Sequence, residues 1–346
     1  MIKYLGSKRA LLDPILDAVT ELAPAGRVLD LFSGSARVGR ALKQAGYAVV
    51  ANDHNAYAAT VARAQVEADR EDWQAPAEAE LARLQELADA LPDEDDAEVE
   101  EDWFTCSYCR ESRYFRPANG RRIARLREEL ARAGHPPLLE AVLLAALMEA
   151  ADRVDSTVGV HMAYLKAWAP RARKSLELRP PELLPRPPAG PCQAWEREAL
   201  DAACAFDGDL AYLDPPYNHH SYLGNYHLWE TLVRWDEPET YGVARKRIDV
   251  RERKSPFNSK PRCAEALAAV LEALDGMPLV VSFSDEGFLD AEAMEALLGR
   301  HGRVERRSYE HRRYVGARIG IHDPAGRRVG AVSHVRNRER LFLVRP

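Results

Sequence analysis

The sequence predicts an α/β fold in which a mainly helical insertion divides one sheet of buried strands. Three observations predict it: a β-α-β pattern at residues 27–53, helical periodicity from about 57 to 205, and further apolar strands at 210–213 and 279–283. Right-handed crossovers between parallel strands place ligands at the carboxyl ends of the strands. Candidate site residues are therefore expected just after each strand.

The first unit has a predicted strand at 27–32, a turn of small residues at 33–36, a helix, and a second strand at 48–52 that runs into Asp53. A glycine in the first turn lets backbone amides approach a ligand, and an acid about 20 residues later can accept hydrogen bonds from ribose hydroxyls. The unit therefore predicts a nucleoside-binding half. Gly34 and Gly39 do not form the dinucleotide pattern GxGxxG.

The segment after this unit shows apolar residues at three- and four-residue spacing in 78–91, 121–133 and 138–154, which predicts three helices. A proline-rich run at 180–188 predicts an extended connection back to the sheet. The core domain is accordingly placed at 1–60 and 206–346, and the helical insertion at 61–205. Residues 338–344 are expected to form a closing edge strand.

The tetrapeptide Asp214-Pro215-Pro216-Tyr217 follows directly on the predicted strand 210–213. Two prolines fix φ at about −65° and remove two amide donors, which leaves carbonyl oxygens and the Asp214 carboxylate as acceptors. Such a turn can hold the exocyclic amino group of a nucleobase, and the Tyr217 ring offers a face for base stacking. Taken alone, the four residues also fit a capped strand end with a packed tyrosine.

The formal charge of −6 is unevenly distributed. Residues 67–102 contain sixteen acids and two arginines, a local charge of −14, so the rest of the chain carries +8. The densest part of this acidic stretch, residues 93–102, is expected to be a solvated loop. A cationic segment is expected to contact nucleic-acid phosphates; its basic residues are Arg245, Lys246, Arg247, Arg251, Arg253, Lys254, Lys260 and Arg262.

Composition excludes several classes of protein. The sequence has 46% hydrophobic residues, and its longest oily stretch, 138–151, is interrupted by Glu140 and Glu149, so no membrane association is expected. Without an apolar signal region, and with five cysteines at irregular spacing, a cytoplasmic location is expected. Cys106 and Cys109 lack a second close ligand pair, and no metal is expected.

The order of three motifs resembles the Dam-like, or alpha-group, adenine-N6 DNA methyltransferases. The motifs are KYLGSK at 3–8, DLFSG at 30–34 and DPPY at 214–217. Residues 227–232 and 255–260 also resemble segments of proteins in this family. The resemblance implies a Rossmann-like methyltransferase sheet, S-adenosyl-L-methionine as cofactor and double-stranded DNA as partner, with the adenine flipped out of the duplex. A restriction endonuclease can accompany such an enzyme.

The resemblance also implies roles for particular residues. Residues 61–205 would be the target-recognition domain, and the aromatic, arginine-rich stretch 108–116 is expected to choose the target sequence. Relatives often have a second glycine where Ala36 stands in this sequence. The catalytic residues would be Asp214, Pro215, Pro216 and Tyr217, and the cofactor contacts would be Tyr4, Lys8, Asp30, Phe32, Ser33, Gly34, Asp53 and Asp214.

Other functions remain open at this point. Cytosine-N4 methylation is an alternative, because that amine presents the same geometry to the turn, and an RNA base methyltransferase is another. A non-catalytic DNA-binding protein with the same fold would not need Asp214, Tyr217 and Asp53, which are all present. A nicotinamide dehydrogenase is disfavoured because the dinucleotide glycine pattern is absent.

Overall fold

The computed structural model describes residues 2–98, 100–285, 287–312, 321–322, 328–330 and 336–346. Its strands, in chain order, are β1 (Arg27–Asp30), β2 (Ala48–Asn52), β3 (Gln193–Trp195), β4 (Leu210–Leu213), β5 (Thr240–Tyr241), β6 (Lys246–Arg247), β7 (Leu279–Ser284), β8 (Arg303–Arg312), β9 (Ile321–His322), β10 (Arg328–Gly330) and β11 (Arg336–Arg345). Seven of them form one sheet of order β3-β2-β1-β4-β7-β11-β8. The first five in this order run parallel, and β11 pairs antiparallel with both β7 and β8.

Helices cover the sheet and fill the insertion. They are α1 (Leu12–Leu22), α2 (Arg37–Gln44), α3 (Ala56–Ala62), α4 (Arg70–Asp89), α5 (Trp103–Thr105), α6 (Pro117–Ala133), α7 (Pro137–Val154), α8 (Ala199–Ala205), α9 (Tyr222–Asn225), α10 (His227–Arg234), α11 (Cys263–Ala273) and α12 (Ala291–Leu298). The predicted α/β class and the three predicted helices of the insertion are confirmed. Among the described residues, no helix combines the length and the apolar character needed to cross a bilayer.

The strands β2, β4 and β7 are buried along their whole length because both faces of the sheet are covered. Alternate residues of β1 enter different cores. Val28 packs in a cluster with Val142 of α7, whereas Leu29 packs on the other face with Ala202 of α8 and Leu271 of α11. The insertion helices therefore share one hydrophobic core with the sheet.

Two predictions about the sheet are wrong. β3 lies inside the predicted insertion, yet it pairs with β2 and forms an edge of the sheet, so the boundary at 205 lies too late in the chain. The second concerns residues 338–344, which belong to β11. This strand is interior rather than at an edge, because β8 covers its other side.

The acidic stretch is tied to the insertion by ion pairs. Asp93 pairs with Arg122, Asp95 with Arg116, and Glu101 with Arg110. Asp93 stays exposed, as expected for a solvated loop, whereas Asp95 and Glu101 are partly buried beside their arginines.

The aromatic residues of the stretch 108–116 are buried in the protein core. Tyr108, Tyr114 and Phe115 are fully buried in the core that includes α6 and α7. Arg113 lies over the ring of Trp168, 4.5 Å from its centre. This burial contradicts the expectation that the stretch chooses a target sequence, because its rings are not available to nucleotides.

Candidate active site

A cavity that opens to solvent lies where the segments after β1, β2 and β4 meet. Its walls include all eight residues that were expected to contact a cofactor, namely Tyr4, Lys8, Asp30, Phe32, Ser33, Gly34, Asp53 and Asp214. Parallel strands end at the same edge of a sheet, which is why motifs far apart in the sequence meet here. The glycine turn and the Asp-Pro-Pro turn therefore face one shared space.

The glycine turn is held by hydrogen bonds to the end of β2. The Ser33 amide donates to the Asn52 carbonyl at 2.8 Å, and the Gly34 amide donates to Oδ2 of Asp53 at 3.1 Å. Gly34 has φ +49° and Ala36 has φ +57°, both in the left-handed region. An alanine there costs about 1–2 kcal/mol relative to glycine. Ala36 therefore adopts the left-handed conformation that a glycine at this position would adopt without that cost.

Two acids stand at the ends of neighbouring strands, the buried Asp30 and the partly exposed Asp53. Asp30 closes β1 and accepts a hydrogen bond from the Gly39 amide at 2.9 Å, and burial raises its pKa to about 7. Asp53 follows β2 and accepts from the amides of Gly34 and Asn55, and burial raises its pKa as well. Asp30 therefore braces the start of α2, whereas Asp53 joins the glycine turn to the cavity.

Asp214 belongs to a buried cluster of three charged groups. Lys8 Nζ lies 3.0 Å from Oδ1 of Asp214 and also contacts Oε1 of Glu339. Burial raises the pKa of Asp214 to about 6, and the Lys8 ammonium opposes that rise. Burial disfavours the ammonium itself, but Asp214 and Glu339 outweigh this effect and hold the pKa of Lys8 well above its usual range.

The other residues of the turn are placed around Asp214. Pro216 also lines the cavity, and Pro215 is buried. The Tyr217 ring meets Phe283 edge-on, with the ring centres 5.8 Å apart and an interplanar angle of 66°. The Tyr217 carbonyl accepts a hydrogen bond from the Phe288 amide at 2.8 Å. The turn is thus anchored to β7 and to the segment that follows it.

Sequence reasoning missed a group of tyrosines that holds the N-terminal segment. Tyr4 is stacked between Tyr222 and Tyr226, with ring centres 5.3 and 4.8 Å away and nearly parallel planes. The Leu5 amide donates to the Tyr226 hydroxyl at 2.6 Å, and the hydroxyls of Tyr4 and Tyr57 lie 3.5 Å apart. The only sequence signal was the density of tyrosines at 217–226.

Polar atoms at the cavity fit a nucleoside cofactor. Several buried side-chain atoms of cavity-lining residues have no hydrogen-bond partner within the described protein: Oγ of Ser7, Oγ of Ser33, Nε of Arg37, Oδ1 of Asn52 and Oδ1 of Asn55. Buried polar groups are nearly always paired in folded proteins. A polar ligand with hydroxyl, amino and carboxylate groups would pair these atoms.

The cationic segment is only partly on the surface. Arg251, Lys254, Lys260 and Arg262 are exposed, and Arg251 lies over the Tyr241 ring, 4.0 Å from its centre. Arg245 and Lys246 are half-buried, and Arg245 pairs with Glu111.

Two arginines of the segment were assigned to phosphates, but the structure places them elsewhere. Arg247 is 3% exposed and donates to both carboxylate oxygens of Asp236, at 2.6 and 2.7 Å. Arg253 pairs with the buried Glu230 at 2.8 Å and lines the cavity. Arg247 is therefore unavailable to a phosphate, and Arg253 belongs to the cavity rather than to the outer surface.

Comparisons with known proteins agree with this geometry. The family model of D12 class N6 adenine-specific DNA methyltransferase matches residues 4–271. Type II methyltransferase M.FokI of Planomicrobium okeanokoites is 32% identical over 317 residues, which cover 88% of this chain and 48% of that protein. Modification methylase StsI of Streptococcus sanguinis is 26% identical over 90% of this chain and 49% of its own length.

A shorter relative is matched almost from end to end. Type II methyltransferase M.NlaIII of Neisseria lactamica is 28% identical over 328 residues, 90% of this chain and 92% of its own length. The chain spans about half the length of the first two relatives. The family match ends before β7, so Glu339 lies outside the matched residues.

Proposed function

Because the chain belongs to the family of D12 class N6 adenine-specific DNA methyltransferases, we propose that it methylates the N6 amino group of adenine in duplex DNA, with S-adenosyl-L-methionine as cofactor. The observation that carries this proposal is the shared cavity. Asp214 faces the same space as Gly34 and Asp53, so a bound nucleoside and a bound amine would be neighbours.

Residues of the glycine turn and the N-terminal segment would hold the cofactor. S-adenosyl-L-methionine, when bound, supplies an electrophilic methyl group on a sulfonium. The Asp53 carboxylate would accept hydrogen bonds from ribose hydroxyls, as an acid at the end of a second strand does in nucleoside-binding folds. Gly34 leaves room for close approach of the backbone, and Tyr4 closes the wall beside it.

The Asp-Pro-Pro turn would bind the target amine. The lone pair of the exocyclic nitrogen is delocalised into the adenine ring, so acceptors on its two hydrogens are needed to draw the nitrogen toward tetrahedral geometry. We assign this work to the Asp214 carboxylate and the Pro215 carbonyl, with Lys8 engaged at Oδ1 of Asp214. Most of the catalysis would come from this positioning and from fixed charges.

Adenine in a duplex is hidden, so the base must first leave the stack. Extrusion costs a few kcal/mol, and stacking on the Tyr217 ring is proposed to offset part of that cost. The exposed cations Arg251, Lys254 and Lys260 are proposed to contact phosphates, with Lys246 beside them. The insertion is proposed to contribute to target recognition through surfaces other than its buried aromatic stretch.

The biological setting is proposed from the relatives. M.FokI and M.NlaIII are named Type II methyltransferases, and StsI is named a modification methylase. We propose the same role for this chain, in the cytoplasm and in company with a restriction endonuclease.

The proposal is tested by analysing DNA from cells that express the wild-type protein or its Asp214→Asn variant. Liquid chromatography of digested DNA identifies the modified base, and sequencing that detects methylation locates it. N6-methyladenine at one sequence in wild-type DNA, and its absence from the variant's DNA, would support the proposal. N4-methylcytosine, or no modification of DNA by the wild-type protein, would overturn it.

A further inference from the structure

Glu339 is a buried acid that reaches the candidate active site from β11. It is 4% exposed, and its strand neighbours are Ser284 on β7 and Tyr309 on β8. Its carboxylate contacts the ammonium of Lys8, which itself lies 3.0 Å from Oδ1 of Asp214. A buried acid that only stabilised the sheet would not need to meet the cation that touches the catalytic turn.

The three groups form a cluster in which two carboxylates share one ammonium. Such a cluster carries a net charge of −1 when all three groups are ionised. Without Glu339, Lys8 and Asp214 would form a neutral pair, and the acceptor strength of Asp214 would be directed mainly at the ammonium. With Glu339 present, the ammonium is drawn to two partners, so its hold on Asp214 weakens and the ionised carboxylate of Asp214 becomes a stronger acceptor.

We propose that Glu339 is a positioning residue for the Lys8–Asp214 pair, holding the ammonium so that Asp214 stays an effective acceptor for the target amine. This inference rests on the proposed methyltransferase function. Glu339 touches Lys8 rather than the reacting atoms, so it acts through the pair. The proposed role also explains why β11, which lies outside the family match, carries a carboxylate in the interior of the sheet.

The remaining titratable groups around Asp214 do not account for the same effect. Asp30 acts on Asp214 from β1, Tyr212 from β4, and Tyr222 from α9, and Tyr217 belongs to the turn itself. Burial raises the pKa of each of these tyrosines, so their hydroxyls remain neutral near pH 7. Glu339 is the carboxylate among these groups that also contacts Lys8.

The test compares Glu339→Gln and Glu339→Asp with the wild-type protein. Glutamine keeps a hydrogen-bond acceptor for Lys8 but removes the charge. The acid limb of the pH profile of kcat/KM should therefore move to lower pH by roughly one unit. Aspartate keeps the charge but is shorter, so the limb should stay in place while kcat falls about tenfold. Glu305→Gln is the matched control, because it removes a partly exposed acid of β8 that pairs with Arg307 and Arg345.

A purely structural role would lower the rates of both Glu339 variants without moving the limb of either. A limb for Glu339→Gln that coincides with that of the wild-type protein would overturn the inference. Should the glutamine variant not fold, the aspartate variant decides: a lower kcat with an unchanged midpoint of urea unfolding supports the inference, whereas an unchanged kcat, or a fall in kcat accompanied by a loss of stability, overturns it.

The proposed function and this inference fail in different ways. A wild-type protein that methylates no DNA would remove the function and leave the electrostatic inference open to a direct measurement. Carboxyl-carbon NMR would follow the titration of Asp214, assigned with Asp214→Asn, in the wild-type protein and in Glu339→Gln. A lower midpoint in the variant supports the inference, and equal midpoints contradict it.

Discussion

The ring of Tyr4 lies against the backbone of Gly34, and a methyl group added at position 34 would come 2.9 Å from the Tyr4 hydroxyl oxygen. Gly34 also has φ +49°, which disfavours any other residue. Gly34→Ala should therefore lower the free energy of unfolding by about 1–2 kcal/mol. It should also displace Tyr4 and weaken S-adenosyl-L-methionine binding about tenfold or more, measured by calorimetry.

Gly134→Ala separates these two effects. Gly134 ends α6 with φ +63°, and nothing lies within 4 Å of the position that a Cβ would take. This variant should have a similar loss of stability in urea unfolding and an unchanged cofactor affinity. Equal cofactor affinities in the two variants would show that the contact between Tyr4 and Gly34 does not shape the cofactor site.

Asp214→Asn preserves the shape of the side chain and removes its charge. Methyl transfer should fall by about a hundredfold or more, because a preorganised acceptor is lost, whereas cofactor binding should change little. A tritium-transfer assay measures the first quantity, and calorimetry measures the second. Substantial turnover by the variant would rule out Asp214 as the acceptor of the target amine.

The pH dependence of kcat/KM should report the ionisation of Asp214. Burial raises the pKa of this carboxyl to about 6, and only the ionised form accepts both the Lys8 ammonium and an amine hydrogen. Activity should therefore fall as the pH drops through about 6, rather than through the lower range of an exposed aspartate. In Asp30→Asn the same fall in activity at low pH should remain, because Asp214 is intact and the amide oxygen of the new side chain can still accept from the Gly39 amide. If that variant showed no fall in kcat/KM at low pH, the fall would be assigned to Asp30 instead of Asp214.

Tyr217 is expected to act through its ring. Tyr217→Ala removes the stacking face, worth about 1–3 kcal/mol, and should lower kcat/KM on duplex DNA by roughly fivefold to a hundredfold. Tyr217→Phe keeps the ring and its edge-on contact with Phe283, and should stay close to the wild-type rate. Steady-state kinetics compare the two variants, and similar losses in both would assign the effect to the hydroxyl.

The salt dependence of DNA binding should identify the phosphate contacts. Replacing the exposed Arg251, Lys254 and Lys260 together by alanine should weaken binding and lower the slope of log K against log salt by about two to three. Fluorescence anisotropy with labelled duplex measures both quantities. An unchanged slope would place the DNA on another face.

Arg247→Ala is the contrasting variant for the same segment. Its guanidinium is buried against Asp236 and Asp249, so its removal takes the hydrogen bonds from Asp236, which is 42% exposed, while Asp249 keeps Arg253 as a partner. Stability should fall by about 1–3 kcal/mol. Any folded fraction should bind DNA with the salt slope of the wild-type protein.

The parts of the site that the sequence could predict depend on local rules. A strand that ends in a small-residue turn predicts where Gly34 lies, and a strand that ends in two prolines predicts where Asp214 lies, because backbone conformation there is set by neighbouring residues. The two turns then lie at the same edge of the sheet because the strands that precede them are parallel. The eight cofactor candidates accordingly meet in one cavity.

The parts that could not be predicted depend on distant pairing. β3 has three residues, too few to show periodicity, and it becomes a strand because β2 offers an edge. Glu339 stands between two arginines in the sequence and looks like part of a solvent-exposed edge. Its burial follows from β7 and β8 on either side, and from an ammonium supplied by the other end of the chain.

Lys8 and Glu339 are 331 positions apart in the sequence, and their contact has a consequence for biosynthesis. The ribosome releases the lysine long before it makes the strand that carries the glutamate, so the two can meet only after β11 has been synthesised. Until then the nascent polypeptide would hold Lys8 and Asp214 as a neutral pair, without the second carboxylate. Full activity would therefore begin only after β11 has joined the sheet between β7 and β8.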